Sequence, residues 1–350
     1  MVRFPDPRKG PPYHMHDMIL SQPEFVKETL GRVRPSDASL LGDPRALMLT
    51  GCGTSFHAAM YGAAVLQEVY GSEIPVRSVH AYDILHGANI PKDATVLGVS
   101  HSGATSTTNR ALRSAEKNGA RTIGLCGLPD TPMHEVTDEV VVTGSAHDAS
   151  WANTMSYTTQ LAAFARIASG IGRRRDPGLI EDIEDLPAIL RRALRCEGAI
   201  RRIARSLPRR PRLTYLGSGY DSITVLEGAL KIRETCSVDA VGYHPEQFLH
   251  GPFLSLDRDD RIVALASRDD GARLREVLQA LRIAGAKVST VGDGRVQVRL
   301  PRIHRTLRPI VSVVPLQFLA YFAALRRGSN PDVMRSDIPR FSRALTPLFH

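Results

Sequence analysis

Cysteine, lysine and tryptophan are scarce in this chain, and each scarcity excludes something. The four cysteines, Cys52, Cys126, Cys196 and Cys236, form no CxxC pair and no zinc-type spacing. That excludes a disulfide scaffold or a zinc module and makes the thiols read as free in a reducing compartment. No run reaches the ~18 apolar residues of a membrane-spanning helix. The opening stretch, MVRFPDPRKGPPYHMHD, lacks the apolar segment of a secretory signal. The expected location is therefore cytoplasmic, with no membrane partner. There is one tryptophan, and aromatics make up 6% of the chain. There is no GxxxxGK[ST] nucleotide loop and no GxGxxG dinucleotide fingerprint.

What is present is arginine. The net charge is +9, and the lysines are only Lys9, Lys27, Lys92, Lys117, Lys231 and Lys287. Such a balance favours anionic partners, with phosphate esters among them. The densest basic stretch, RRALRCEGAIRRIARSLPRRPR (191–212), lacks the interleaved aromatics of a single-strand binder. It reads as a solvated connecting helix, and no nucleic-acid partner is expected. With 350 residues and 43% hydrophobic content, the chain can fill the cores of two ordinary domains.

Two stretches follow one plan. In the first, strand-like ALMLT runs into GCGTS and a helical stretch from Ser55 to Tyr70, followed by PVRSVHA, TVLGVS, the loop HSGAT, a helix, RTIGLCG, EVVVTG and a long helix. The second begins at LTYLGS and continues through SITVLEGALKIRETC, DAVGYHP, RIVALAS, GARLREVLQALRIAG, KVSTVGD and VVPLQFLAYFAALRRG. Short apolar strands alternating with helices predict parallel sheets wrapped by helices, here duplicated. The expected layout is an N-terminal helical arm (1–40), a first α/β domain (41–172), a connection (173–210), a second α/β domain (211–328) and a polar tail (329–350). Each domain is expected to be a three-layer αβα sandwich with a mainly parallel sheet.

Ligands of open parallel sheets sit beyond the carboxyl ends of the strands. GCGTS places Gly51 and Gly53 there for close backbone approach, with hydroxyls on Thr54 and Ser55. SHSGAT offers Ser100, Ser102 and Thr105 just before a helix, whose free N–H groups favour an anion. The same residue types also serve as plain caps and turns. In LEGALKIRE, Glu227, Lys231 and Glu234 share one helix face. That face is either wet, since Val225, Leu226 and Leu230 line the other, or turned towards the ligand end of the sheet. His250 follows in HGP. A carboxylate base and an imidazole acid are the pair that moves a proton between adjacent sugar carbons.

Taken in order, GCGTS, SHSGAT, LEGALKIRE, LHGP and PLQFLAYFAALRRG resemble the isomerase half of glucosamine-6-phosphate synthase. More broadly they resemble the tandem sugar-isomerase (SIS) family, which includes amino-sugar-phosphate deaminases and fructosamine-phosphate deglycases. The resemblance spans roughly residues 12–340. It implies that Cys52, Gly53, Thr54, Ser55, Ser100, His101, Ser102 and Thr105 hold the sugar phosphate. It implies that Glu227, Lys231 and Glu234 form the catalytic helix, with Glu234 the enolisation base. It implies that His250 handles ring opening or proton donation across a homodimer interface. Three departures bear on the reaction. The chain begins MVRF, without the family's glutaminase domain or nucleophilic cysteine. The family's C-terminal imine-forming lysine aligns with Pro339. Met155 stands in ANTM where the family has lysine. The ending NPDVMR is nearer to the deaminase and deglycase branch.

The expected activity is aldose–ketose isomerisation of a 6-phosphorylated amino sugar or fructosamine, coupled to deamination or deglycation. No metal or redox cofactor is expected, because an enediol intermediate needs only a base, an acid and oxyanion donors. The alternatives are a plain phosphosugar isomerase, a synthase-like transaminase using free ammonia, and a non-catalytic sugar-phosphate sensor. A sensor would usually carry a DNA-binding helix-turn-helix, for which residues 1–40 are too short.

Overall fold

Every residue of the segments LMLT and TVLGVS is buried, as expected of strands covered on both faces. A computed structural model describes residues 4–171, 176–258, 260–333 and 335–349, with backbone only for 346–349. The expected boundary at 172–173 and Met334 of NPDVMR lie outside the described residues.

The first sheet contains β1 (Leu47–Thr50), β2 (Val76–Ser78), β3 (Thr95–Ser100), β4 (Arg121–Cys126) and β5 (Glu139–Val142). The second contains β6 (Leu213–Leu216), β7 (Ala240–Tyr243), β8 (Arg261–Ala266), β9 (Lys287–Gly292) and β10 (Val298–Arg299). All described pairings are parallel. The orders are β2-β1-β3-β4-β5 and, read from the matching edge, β7-β6-β8-β9-β10, so the two sheets share one topology. The helices are α1 (His14–Arg32), α2 (Thr54–Tyr70), α3 (Ala81–Leu85), α4 (Ser106–Lys117), α5 (Thr154–Ser169), α6 (Pro177–Glu184), α7 (Leu186–Leu194), α8 (Glu197–Ser206), α9 (Asp221–Cys236), α10 (Pro245–Leu249), α11 (Gly271–Ile283), α12 (Arg308–Arg327) and α13 (Pro339–Phe349).

Alternate strand residues feed different cores. Leu47, Leu49, Leu97 and Val99 join the large central cluster, while Met48 and Val96 join a separate one with Ala111 and Leu112 of α4. In the second half Val263 and Leu265 join the central cluster, and Ile262 and Ala264 join one with Leu274 and Leu278 of α11. Helices therefore cover both faces of each sheet, giving the three layers.

The duplication reaches individual residues. Leu47 pairs with Thr95 and Leu213 with Arg261, so both partners move by the same 166 positions (47 to 213, 95 to 261). The loop glycines follow. Gly53 has φ 54° and Gly219 has φ 55°, a left-handed region that glycine enters at no steric cost. A Cβ on Gly51 would come within 2.9 Å of the Ser55 backbone, and one on Gly217 within 2.5 Å of the Asp221 backbone. His80 and His244 each accept a backbone N–H at the start of α3 and α10.

Three expectations change. Residues 191–212 do not form one solvated helix: three helices occupy 177–206, and Ile183, Ile189, Leu190, Ile200 and Ile203 enter the central core. The polar tail carries α13, with Pro339 at its first position, where a missing N–H costs nothing. The two-residue β10 is too short to leave a pattern. The helix expected at VVPLQFLAYFAALRRG is present: the segment Arg305–Arg327 is long and apolar enough to cross a membrane by composition, but 94% of its most apolar window is buried inside the protein. Its apolarity belongs to a core helix packed on all sides, including against α9 and α8.

Candidate active site

The site grows from the meeting of α2 and α9, one helix from each half. Gly53 turns the chain so that Thr54 opens α2 and is buried. Thr54 Oγ1 donates to Glu227 Oε1 at 3.0 Å and accepts from Lys231 Nζ at 2.9 Å. Lys231 Nζ also donates to the Ala152 carbonyl and, at 2.7 Å, to Glu234 Oε2, and it lies 3.0 Å from Glu227 Oε1. His57 Nδ1 meets Glu227 Oε2 at 2.6 Å. Glu227 and Lys231 have zero exposure, so the charged helix face is interior. Buried charges persist only when paired and hydrogen-bonded, and here each oxygen of Glu227 has a partner.

Electrostatics separate the two carboxylates. Burial alone would push Glu227 up, but the Lys231 charge and the His57 hydrogen bond hold it below the usual carboxylate range. Burial pulls Lys231 down, and the two carboxylates more than reverse that, keeping it charged. Glu234 goes the other way: burial raises it, and Lys231 offsets this only partly. The two environments push the carboxylates apart, Glu227 towards its ionised form and Glu234 towards its protonated one, a divergence typical of acid–base sites. The Glu234 side chain retains 22% exposure and opens into a cavity of about 380 Å³ lined also by Arg233, Ser237, Val238, Asp239 and Arg335.

GCGTS and SHSGAT lie at the carboxyl ends of neighbouring β1 and β3, where the strand order reverses. Ser100 Oγ and Thr105 Oγ1 share a 2.9 Å hydrogen bond, and Ser102 Oγ accepts the Ala104 N–H at 3.2 Å. Thr105 sits at the N-terminus of α4 without capping it, leaving that end open. Ser55 Oγ accepts from Gln160 Nε2 at 3.3 Å. The Cys52 thiol, pushed up by burial, accepts weakly from Thr108.

The second half supplies a contrast at the same place. By the same 166-residue offset, Ala266, Arg268 and Gly271 stand where the first half has Ser100, Ser102 and Thr105, and the crevice there, about 400 Å³, is lined by Ser218, Asp270, Arg273, Arg305 and Arg308 among others. The Asp270 carboxylate accepts the Ser218 hydroxyl and the Ser267 N–H there, so a negative charge already takes these donors.

Two expected phosphate ligands are committed elsewhere. The Thr54 hydroxyl is fully used by Glu227 and Lys231. The His101 imidazole is buried, its Nε2 accepting the Asp148 N–H at 3.0 Å, and a Cβ on Gly127 would collide with its ring. Burial, with the nearby His147, pushes it down to about 3, so it is neutral and anchors the loop before α5. His250 is exposed at the end of α10, outside the Glu234 cluster, four positions before Leu254, which is 87% exposed. His57 was not anticipated. Its signal was there in GCGTSFH, since Thr54 and His57 are three apart and share a helix face.

Residues 40–169 match the SIS domain family. The chain therefore carries a SIS domain. Over 345 residues it is 30% identical to the glutamine–fructose-6-phosphate aminotransferase (isomerizing) of Pyrococcus horikoshii, matching 93% of this chain and 57% of that protein. The Thermus thermophilus counterpart is also 30% identical, with 93% and 58% covered. The chain thus spans a little over half the length of these curated relatives. In fold, the SIS-domain chain is similar to the C-terminal domain of glucosamine-fructose-6-phosphate aminotransferase from Francisella tularensis, with a TM-score of 0.85, 24% identity and 93% and 99% coverage. It is also similar to a glucosamine-6-phosphate deaminase from Thermotoga maritima, with a TM-score of 0.78, 18% identity and 91% and 97% coverage.

Proposed function

We propose that this SIS-domain protein binds a 6-phosphorylated amino sugar or fructosamine and moves a proton between its C1 and C2, with loss of the amine. The observation that carries the reading is the buried Glu227–Lys231–Glu234 group, in which only Glu234 faces a cavity and is left free to titrate. The sugar phosphate lies at the α4 N-terminus, held by Ser100, Ser102 and Thr105. Glu234 removes the proton, and Lys231 keeps the base oriented. His250 serves the active site of a second copy. Its exposure, four positions before an exposed Leu254, supports a homodimer with shared sites. Pro339 carries no amine, which favours loss of the amine or simple isomerisation over imine-based amine transfer. The four free cysteines support a reducing, cytoplasmic setting.

The direct test is to supply glucosamine 6-phosphate, fructose 6-phosphate and fructosamine 6-phosphates to purified protein and read both ammonia and sugar product. Ammonia release supports the proposed coupling. Ketose–aldose interconversion without ammonia selects the plain isomerase. Binding without turnover of any of these selects the sensor.

Two further outcomes are expected. Calorimetry with fructose 6-phosphate should give one equivalent per chain, because the Asp270 carboxylate takes the Ser218 and Ser267 donors of the second crevice and repels an anion there. Ser102→Asp should abolish that binding by placing a negative charge at the anion site, while its carboxylate can still accept the Ala104 N–H. Two equivalents, or wild-type affinity in the variant, would move the site elsewhere. The acid limb of the kcat profile should fall above 4.5, the ordinary glutamate value, since Glu234 is raised and must be ionised to act. A limb below 4.5 would rule out Glu234 as the titrating base.

A further inference from the structure

We infer that His57 is a positioning residue that fixes how Lys231 is shared between Glu227 and Glu234, and so holds the base Glu234 ready. The inference rests on the proposed role of Glu234, but its mechanism is geometric. Glu227 is wholly buried, so neither oxygen can turn to water. Oε1 takes Thr54 and Lys231, while Oε2 takes His57 at 2.6 Å. Without the His57 donor, Oε2 has two courses. It stays unpaired, which a buried carboxylate tolerates poorly. Otherwise the carboxylate rotates to claim more of Lys231, drawing Nζ from Glu234 Oε2, now 2.7 Å away. The cost of the first course favours the second, in which the Lys231 charge serves Glu227 more and Glu234 less, so Glu234 should keep its proton to higher pH.

The other charged and titratable neighbours leave this division to His57. Ala152 and Thr54 hold Lys231 through neutral oxygens. Tyr157 on α5, the tyrosine most affected by the Glu227 charge, is raised by burial and stays protonated. Asp148, before α5, is raised by burial and senses Lys231, but its oxygens are occupied by Ser150 and Ser156. His57 itself is 17% exposed at the edge of the cluster, where its donor can be replaced without opening the core.

A purely structural histidine would tolerate any filler of similar volume. A positioning one requires a donor at the Nδ1 position, which asparagine supplies and leucine does not. The Glu234 titration can be followed by ¹³C NMR of carboxyl-labelled glutamate, assigned by the signal lost in Glu234→Gln, and this reading needs no turnover. His57→Leu should raise the Glu234 midpoint by about one pH unit, the lower end of what a neighbouring charge does to a carboxylate. His57→Asn should return it to the wild-type value. In turnover, His57→Leu should lower kcat at neutral pH and move its acid limb up in step, with KM for the phosphosugar little changed. An unmoved midpoint in folded His57→Leu would overturn the inference, as would an equal rise in His57→Asn. If His57→Leu does not fold, His57→Ala takes its place with the same two outcomes. If the midpoint moves as expected but wild-type protein turns over no phosphosugar, the proposed function fails and the positioning role stands.

Discussion

Glu234→Gln should lower kcat by about 10²–10⁴-fold with little change in KM, the usual loss when a positioned general base is removed. Glutamine keeps the shape and can still accept the Lys231 N–H, so substrate binding at the distant phosphate loop should survive. Solvent deuterium incorporation at C2 of the sugar should fall in parallel, which separates loss of the base from loss of a later step. The same variant tests the shared site. His250 lies outside the Glu234 cluster of its own chain, so each active site would draw Glu234 from one copy and His250 from another. Mixing inactive Glu234→Gln and His250→Ala proteins should then restore part of the activity, provided that subunits exchange. Full activity in Glu234→Gln would refute the assigned base. Absence of rescue, with exchange shown independently, would place both groups of a site on one chain.

Lys231→Met should be the most destabilising single change in the site. It removes the cation that Glu227 and Glu234 share and strands a buried anion, a loss of about 3–5 kcal/mol for a broken buried pair. The midpoint of urea unfolding should drop with an unchanged slope. The pH dependence has a definite sign. Glu227 is held below its ordinary 4.5 in the folded state, so its contribution is present above that value and disappears as pH falls through the folded value. The gap between wild type and Lys231→Met should therefore narrow as pH falls, closing once pH has passed below the depressed folded value, where Glu227 is neutral in both. A gap that stays constant down to pH 3 would show that lost packing of the lysine stem is responsible.

Much of this protein was legible before any coordinates. Runs such as TVLGVS and RTIGLC are too short and too β-branched to be helices, and their spacing with helical stretches dictates parallel strands with crossovers. The repeated order of glycine loop and helix exposed the duplication, because both halves must make the same turn at Gly53 and Gly219. The charged face of α9 was visible as a spacing. Whether it was wet or buried was not, since spacing along one helix carries no information about what packs on it. Tertiary structure decided that by bringing α2 across from the first half, which also recruited Thr54 and His57 into the cluster and withdrew Thr54 from the phosphate loop. It likewise turned His101 inward, a choice made by the room that Gly127 leaves beside its ring. The arginine-rich connection was misjudged because composition reports how polar a segment is, while only the fold says what surrounds it. The sequence by itself determined the strands, the loops at their ends and the identity of the charged trio. The pairing that sets Glu227 and Lys231 as an ion pair and leaves Glu234 to titrate exists only when two helices, 173 residues apart at Thr54 and Glu227, meet.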